Sequence, residues 1–225
     1  ANSFFRAANY PFGGVDPTDP SRVIVSYGSY INRNSNLRQG CVPTGFAATG
    51  QNTYLGVKGG GCNNDIVLST STDGGRTFTG GTVDPRSLPV ATDAPGQANT
   101  DQFWQSAAFT PAGTFVVSYY DRQYGDDERT GYSDVTVSAS AAGAQFIHTR
   151  ATSSSMPPPT QFSGVFYGDY SGLAVTNAIA YPLWSDTRTV DEFACGSPPR
   201  VCAGTATNAP YANDQDAYTT GVPLP

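Results

Sequence analysis

The sequence predicts an all-β fold built from about three four-stranded antiparallel units. Three observations carry this expectation. Gly (25) and Pro (17) make up nearly a fifth of the 225 residues, and with Ser they break every Ala-rich stretch before a helical period can develop. The chain is only 38% apolar and 13% charged, and its core bulk comes from 13 Tyr, 12 Phe and 2 Trp, a composition of short strands and turns rather than of helices. Finally, one phrase of sequence recurs three times, the sign of a repeat architecture.

The phrase is a strand, a turn, a second apolar strand ending in an aromatic, and a polar tail. It runs from Phe12 to Tyr27, from Trp104 to Arg122 and from Tyr170 to Arg188. Tyr119 aligns with Trp184 at an offset of 65, and Tyr27 with Tyr119 at 92. The excess falls between Cys41 and Cys62, a stretch longer than ordinary loops. A second phrase follows each first one and reads as a third strand opened by Asp: Asp65 to Ser71, Asp134 to Ser140, and Asp216 to Thr220. After the first comes the turn Ser71 to Phe78, after the second a worn counterpart from Ala139 to Phe146, and after the third the sequence stops within five residues.

Each unit is thus three strands, a tight turn and a fourth strand, the blade of a β-propeller. The blades are expected at about 10–84, 103–150 and 167–222 of a single domain 1–225. The last lacks its fourth strand, and residues 1–9 form a spare strand for another blade.

Ser71-x-Asp73-x-Gly75-x-Thr77-Phe78 matches the Asp-box (BNR repeat) consensus at every fixed position. Phe109 to Arg122 and Gly168 to Arg188 resemble the repeats of bacterial sialidase-like propellers. The box has a physical rationale: its carboxylate accepts backbone N–H groups, Gly75 takes positive φ, and Phe78 plugs between sheets. The resemblance implies propellers of six blades or more. Three blades alone would leave two apolar sheet faces uncovered, so the expected partner is a second propeller half, either another chain or a second copy in a homodimer. An open or modified propeller in one chain is the alternative.

In that topology one axial mouth collects the residues before each first strand and after each second strand. These are Asp101 and Gln102 with Tyr120, Asp121 and Arg122; Asp169 with Ser185, Asp186 and Arg188; and Asn9 with Tyr30, Asn32 and Arg33. The sialidase resemblance implies a Tyr nucleophile, a carboxylate base and arginines that clamp a sugar carboxylate. Asp121, Asp169 and Tyr120 are the candidate catalytic residues. Arg122, Arg188, Asp186, Asp101, Arg33, Trp104 and Tyr170 are the candidate substrate-binding residues. No Arg-Ile-Pro motif occurs, and Glu128 and Glu192 are the only glutamates. The competing reading makes Asp121-Arg122 and Asp186-x-Arg188 structural ion pairs between blades.

Other features are weighed in the same way. Asp126, Asp127 and Glu128 offer loop carboxylates for Ca²⁺, though their spacing matches no EF-hand, and a solvated acidic loop competes with that reading. No cofactor is required. His148 is the only histidine and has no recognisable Ser or Cys elbow, so it reads as structural or exposed. Met156-Pro-Pro-Pro159 reads as a linker. Cys41 with Cys62, and Cys195 with Cys202, suit two short-range disulfides and a secreted location; other pairings remain formally open. Beginning at Ala1, the chain reads as a mature product or a fragment. No apolar run reaches the roughly 18 residues of a membrane span. A net charge of −6 with Lys58 as the one lysine argues against nucleic acid. Two functions follow: a non-catalytic propeller that binds glycan or protein or serves assembly, and an exo-sialidase-like glycoside hydrolase whose site a partner chain completes.

Overall fold

A computed structural model of the chain describes residues 10–28, 63–79, 88–98, 100–125, 132–143, 145–157, 170–189 and 215–225, and the backbone alone of 29, 42–46, 52–55, 190–191, 194–195, 200–201 and 212–213. Three antiparallel sheets of three or four strands follow one another along the chain.

Sheet I contains β1 (Phe12–Asp16) and β2 (Asp19–Ser29). A separate ladder of β3 (Val42–Phe46) and β4 (Asn52–Leu55) precedes its third strand, β5 (Asp65–Ser71). The order is β1-β2-β5. Beyond β5 a short outer edge forms: the Leu68 N–H donates to Pro89 O and the Ala91 N–H to Ile66 O, each at 2.8 Å. Sheet II is a four-stranded meander of β6 (Gln102–Phe109), β7 (Phe115–Asp121), β8 (Asp134–Ser140) and β9 (Ile147–Arg150).

Sheet III begins with β10 (Gly172–Val175) and β11 (Ile179–Asp186). Two small ladders intervene, β12 (Val190–Asp191) with β15 (Ala212–Asn213) and β13 (Ala194–Cys195) with β14 (Arg200–Val201). Then β16 (Asp216–Thr219) and β17 (Val222–Pro223) lie along β11 in one register, Leu183 opposite Thr219 and Ala180 opposite Val222. The ladder breaks near Pro182, which has no N–H to give it. Among the described residues the only helical element is the 3-10 turn Pro95–Gln97.

The β-branched and aromatic run of β7 explains its place at the centre. All seven residues are buried, because successive side chains point to opposite faces and both faces are covered. Phe115, Val117 and Tyr119 pack against Ile24, Ile66 and Leu68 of sheet I. Val116 on the other face, with Val137 and Ala139 of β8, packs against Ala180 and Val222 of sheet III. Phe103, Trp104, Tyr120, Val135, Met156 and Trp184 form a second core between sheets II and III.

The offset of 65 between sheets II and III is visible as physical contact. Ser106 Oγ lies 3.1 Å from Ser171 Oγ, the Ala112 N–H donates to Asn177 Oδ1 at 2.8 Å, and Tyr120 meets Ser185. Equivalent positions of neighbouring sheets touch one another. The first strands also lie in sequence, with β6 packed against both β1 and β10.

Sheets I and II are tied at one end by Arg22. Its Nη1 donates to Asp16 Oδ2 at 2.8 Å and to Ala141 O at 2.9 Å, while Asp16 Oδ1 accepts from Thr18 N and Oγ1. Gly113, in the β6–β7 turn at φ +86°, fits under this cluster: a Cβ there would stand 2.7 Å from Thr18 Oγ1 and 2.8 Å from Asp16 Oδ1. Gly113→Ala is therefore expected to destabilise the fold by about 1–3 kcal/mol, combining left-handed strain with that clash. A urea midpoint unchanged from wild type would contradict this placement of the turn.

Candidate functional site

The C-terminal ends of the second strands hold the residues that the sequence singled out. Asp121 closes β7 and is fully buried. Its Oδ2 accepts from Gln97 Nε2 at 2.8 Å, Gln123 Nε2 at 2.7 Å and Thr136 Oγ1 at 2.8 Å. Its Oδ1 accepts from the Gln123 N–H at 3.0 Å and Gln102 Nε2 at 3.2 Å. Sheet register delivers two of these donors: Gln102 stands directly opposite Asp121 on β6, and Thr136 lies on β8 two residues from Asp134, the partner of Asp121 on that strand. The 3-10 turn delivers a third: the Ala94 N–H donates to Gln97 Oε1, which aims the amide inward.

Asp186, the equivalent residue of sheet III, is also fully buried but is held differently. Arg188 meets it with Nε and Nη2, the latter at 2.6 Å, and Trp184 Nε1 donates at 2.9 Å. The Arg188–Asp186 hydrogen bonds raise the already high pKa of the guanidinium. Arg188 also reaches Ser153 Oγ at 2.8 Å, in the segment after sheet II, and stands 5.7 Å from the Tyr218 ring centroid. A third buried carboxylate, Asp134, accepts from Arg150, Thr152 and Ser155.

Of the remaining candidates, Tyr120, Arg122 and Asp101 are engaged as well. Tyr120 is buried, stacks on Phe103 at 5.3 Å between centroids, donates its O–H to Ser185 O and accepts from the Ser185 N–H, each at 2.9 Å. Arg122 is 2% exposed, lies over the Phe103 ring and stands 3.9 Å from Asp101 Oδ2. Asp101 Oδ1 accepts the Asn64 N–H. Trp104 is buried at a bulge with φ +56°, a strained value for an aromatic residue, and Tyr170 is exposed. Asp169, Arg33, Asp126, Asp127 and Glu128 lie outside the described residues, as do the side chains of Cys41, Cys62, Cys195 and Cys202. Among the described residues no group of three or more His, Cys, Asp or Glu could hold a metal ion.

The structure divides the ion-pair reading. Asp186 and Arg188 do pair, but within sheet III, and the tie to sheet II runs through the serine. Arg122 stands 3.9 Å from Asp101, which immediately precedes β6 of its own sheet.

A second polar cluster has no counterpart in the sequence reading. His148 Nε2 lies 2.6 Å from Asp93 Oδ1, and Nδ1 lies 2.7 Å from Ser138 Oγ. Ser138 Oγ in turn lies 2.7 Å from Tyr119 OH, which accepts from Gln97 Nε2 at 2.7 Å. A continuous hydrogen-bonded chain therefore links Asp93 to Asp121 through the core. Burial, and then the Asp121 charge, push the Tyr119 phenol well above its ordinary pKa, so it stays a neutral donor. The outer end opens on a pocket of about 510 Å³ lined by Asp93, Pro95, Phe146, Ile147 and His148. Ser138 is fully buried, so the Asp-His-Ser order presents no accessible nucleophile. His148 is a bridge between β8 and the segment that carries Asp93, not an isolated residue.

The turn after β5 has the expected geometry. Asp73 Oδ1 accepts the N–H groups of Arg76 and Thr77 at 2.9 Å each, and Oδ2 accepts from Thr77 Oγ1 at 2.6 Å. The Gly75 N–H donates to Ser71 Oγ at 2.9 Å, with Gly75 at φ +84°. Phe78 departs from expectation. It does not plug two sheets together; it is 38% exposed, because it lies beside Gly75 on the outer side of sheet I, where neither sheet II nor sheet III packs. The Thr77 hydrogen bonds lower the Asp73 pKa to about 2. A lowered folded pKa means the turn is stabilised above the unfolded carboxylate range and loses that contribution as pH falls through about 2. NMR titration is expected to show Asp73 ionising near 2, and a midpoint near 4 would refute the bonding.

Protein-family models give no match to this chain, and curated proteins give none either. Among the described residues no helix is long and apolar enough to cross a membrane.

Proposed function

We propose that the chain is a secreted, sialidase-like propeller segment acting as a non-catalytic module for glycan or protein binding and assembly. One observation carries the non-catalytic part. Asp121, Tyr120, Arg122 and Asp186, which a hydrolase would aim at a sugar, are each 0–2% exposed and engaged in bonds that join strands and sheets. A glycosidase needs its carboxyl groups at the substrate. Here two carboxylates sit beneath the surface with their lone pairs filled by Gln, Thr, Trp and Arg donors.

The propeller reading is supported by three sheets in chain order, by first strands that neighbour one another, and by contacts between equivalent residues 65 apart. The Asp-box turn supports the family resemblance. The cysteine spacing supports an extracytoplasmic location.

The test is turnover of a panel of fluorogenic sialosides and aryl glycosides. The expected rate is that of buffer. Turnover that disappears in Asp121→Asn would overturn the reading in favour of a hydrolase.

A further inference from the structure

We infer that the assembly partner is a second copy of this chain, bound through the outer face of sheet III against the outer face of sheet I. The inference rests on the propeller reading and names its partner. It starts from two interfaces already present, I on II and II on III, which use equivalent faces.

In β7 the residues Val116, Ser118 and Tyr120 turn toward sheet III and are 0–4% exposed. Their equivalents in β11 are Tyr181, Leu183 and Ser185, at the offset of 65. Tyr181 is 42% and Leu183 47% exposed, and the strand alternates, with Ala180, Pro182 and Trp184 buried against sheet II. Sheet III thus presents to solvent the same face that sheet II presents to sheet III.

Sheet I shows the complementary face. Phe115, Val117 and Tyr119 are the residues of β7 that pack on sheet I, and their equivalents in β2 are Val23, Val25 and Tyr27, of which Tyr27 already packs within this chain against Val67, Leu88 and Val90. Ile24 and Ser26, between them, are buried toward sheet II, which leaves Val23 and Val25 on the outer face. Val15 pairs with Val23 on that face and is 54% exposed, and Phe78 lies close by.

A further seam of the same kind therefore needs a sheet that offers what sheet I offers, and a second copy carries it. Two copies related by a two-fold axis form two such seams, closing three sheets on three. Phe78 would then occupy the place between sheets that its sequence motif implies.

Light scattering at about 100 μM is expected to give twice the 23.6 kDa of the chain. Leu183→Asp and Val15→Asp, on opposite faces, are each expected to give monomers of unchanged circular dichroism. Leu183→Ser and Val15→Ser, which disturb folding less, are each expected to weaken association at least about tenfold. A folded wild-type monomer would overturn the inference. So would a dimer lost on changing Leu183 but not Val15, since that signals sheet III against sheet III. Either result leaves the non-catalytic reading standing, because that reading fails only on turnover.

Discussion

Asp121→Ala is expected to lower the folding free energy by about 3–5 kcal/mol, a large share of the 5–15 kcal/mol of an ordinary domain. The carboxylate accepts five hydrogen bonds from four residues on four segments: the 3-10 turn, β6, the stretch after β7, and β8. Alanine removes every acceptor and leaves the Gln97, Gln102 and Thr136 donors facing one another in a space closed to water. Each stranded donor costs about 1–3 kcal/mol, and the sum is less than additive because the amides can partly re-pair.

Asp121→Asn retains the shape and one acceptor but sets an amide N–H against three donors. Its expected cost is about 1–3 kcal/mol, read as a shift in urea midpoint at constant slope. Had Asp121 been a catalytic group held ready for substrate, Asn would leave stability nearly intact and abolish a reaction. An Asn variant as stable as wild type would therefore argue against the structural role assigned here.

The contrast between what sequence reading finds and what it misses follows from chain distance. The offset of 65 is legible because repeated packing imposes repeated residues, and the same offset returns as direct contacts at Ser106, Ala112 and Tyr120. The Asp that opens each third strand is legible for the same reason: Asp65, Asp134 and Asp216 stand opposite Ser29, Asp121 and Asp186 in register. The turn from Ser71 to Phe78 is legible because all its bonds close within a few residues.

The chain from Asp93 through His148 to Tyr119 is not legible in this way. Asp93 and His148 are 55 residues apart, and Gln97 and Tyr119 are 22 apart. Each reads as an ordinary polar residue until the fourth strand and the 3-10 turn are laid against β7 and β8. The burial of Asp121 is hidden similarly: its position at the strand end is a matter of topology, but the donors that close over it include Gln97 and Gln123, which no motif announces.

Arg188→Ala is expected to cost about 3 kcal/mol, and more than Asp186→Ala, although the two remove the same ion pair. The difference lies in what each leaves behind. Without Arg188, the carboxylate of Asp186 stays fully buried with the Trp184 N–H and one backbone N–H as donors. An uncompensated buried charge is the costly outcome of breaking such a pair. Without Asp186, the Trp184 N–H loses its acceptor, a smaller cost than a stranded charge, while the guanidinium, 22% exposed, can take water and keep Ser153 and the Tyr218 ring.

The pair also couples sheet III to the segment that follows sheet II, through Ser153 at 2.8 Å and the neighbouring Thr187, whose Oγ1 donates to Pro157 O. Losing Arg188 should therefore raise hydrogen exchange in β11 and β16 more than in β7. The double variant Asp186→Ala/Arg188→Ala is expected to be no less stable than Arg188→Ala alone, because it removes the stranded charge along with its partner. Additive losses in that cycle would mean that the two side chains act independently. In that case Arg188 would be free to serve a ligand at the strand ends, and the proposal that this end of the sheets is non-catalytic would be weakened.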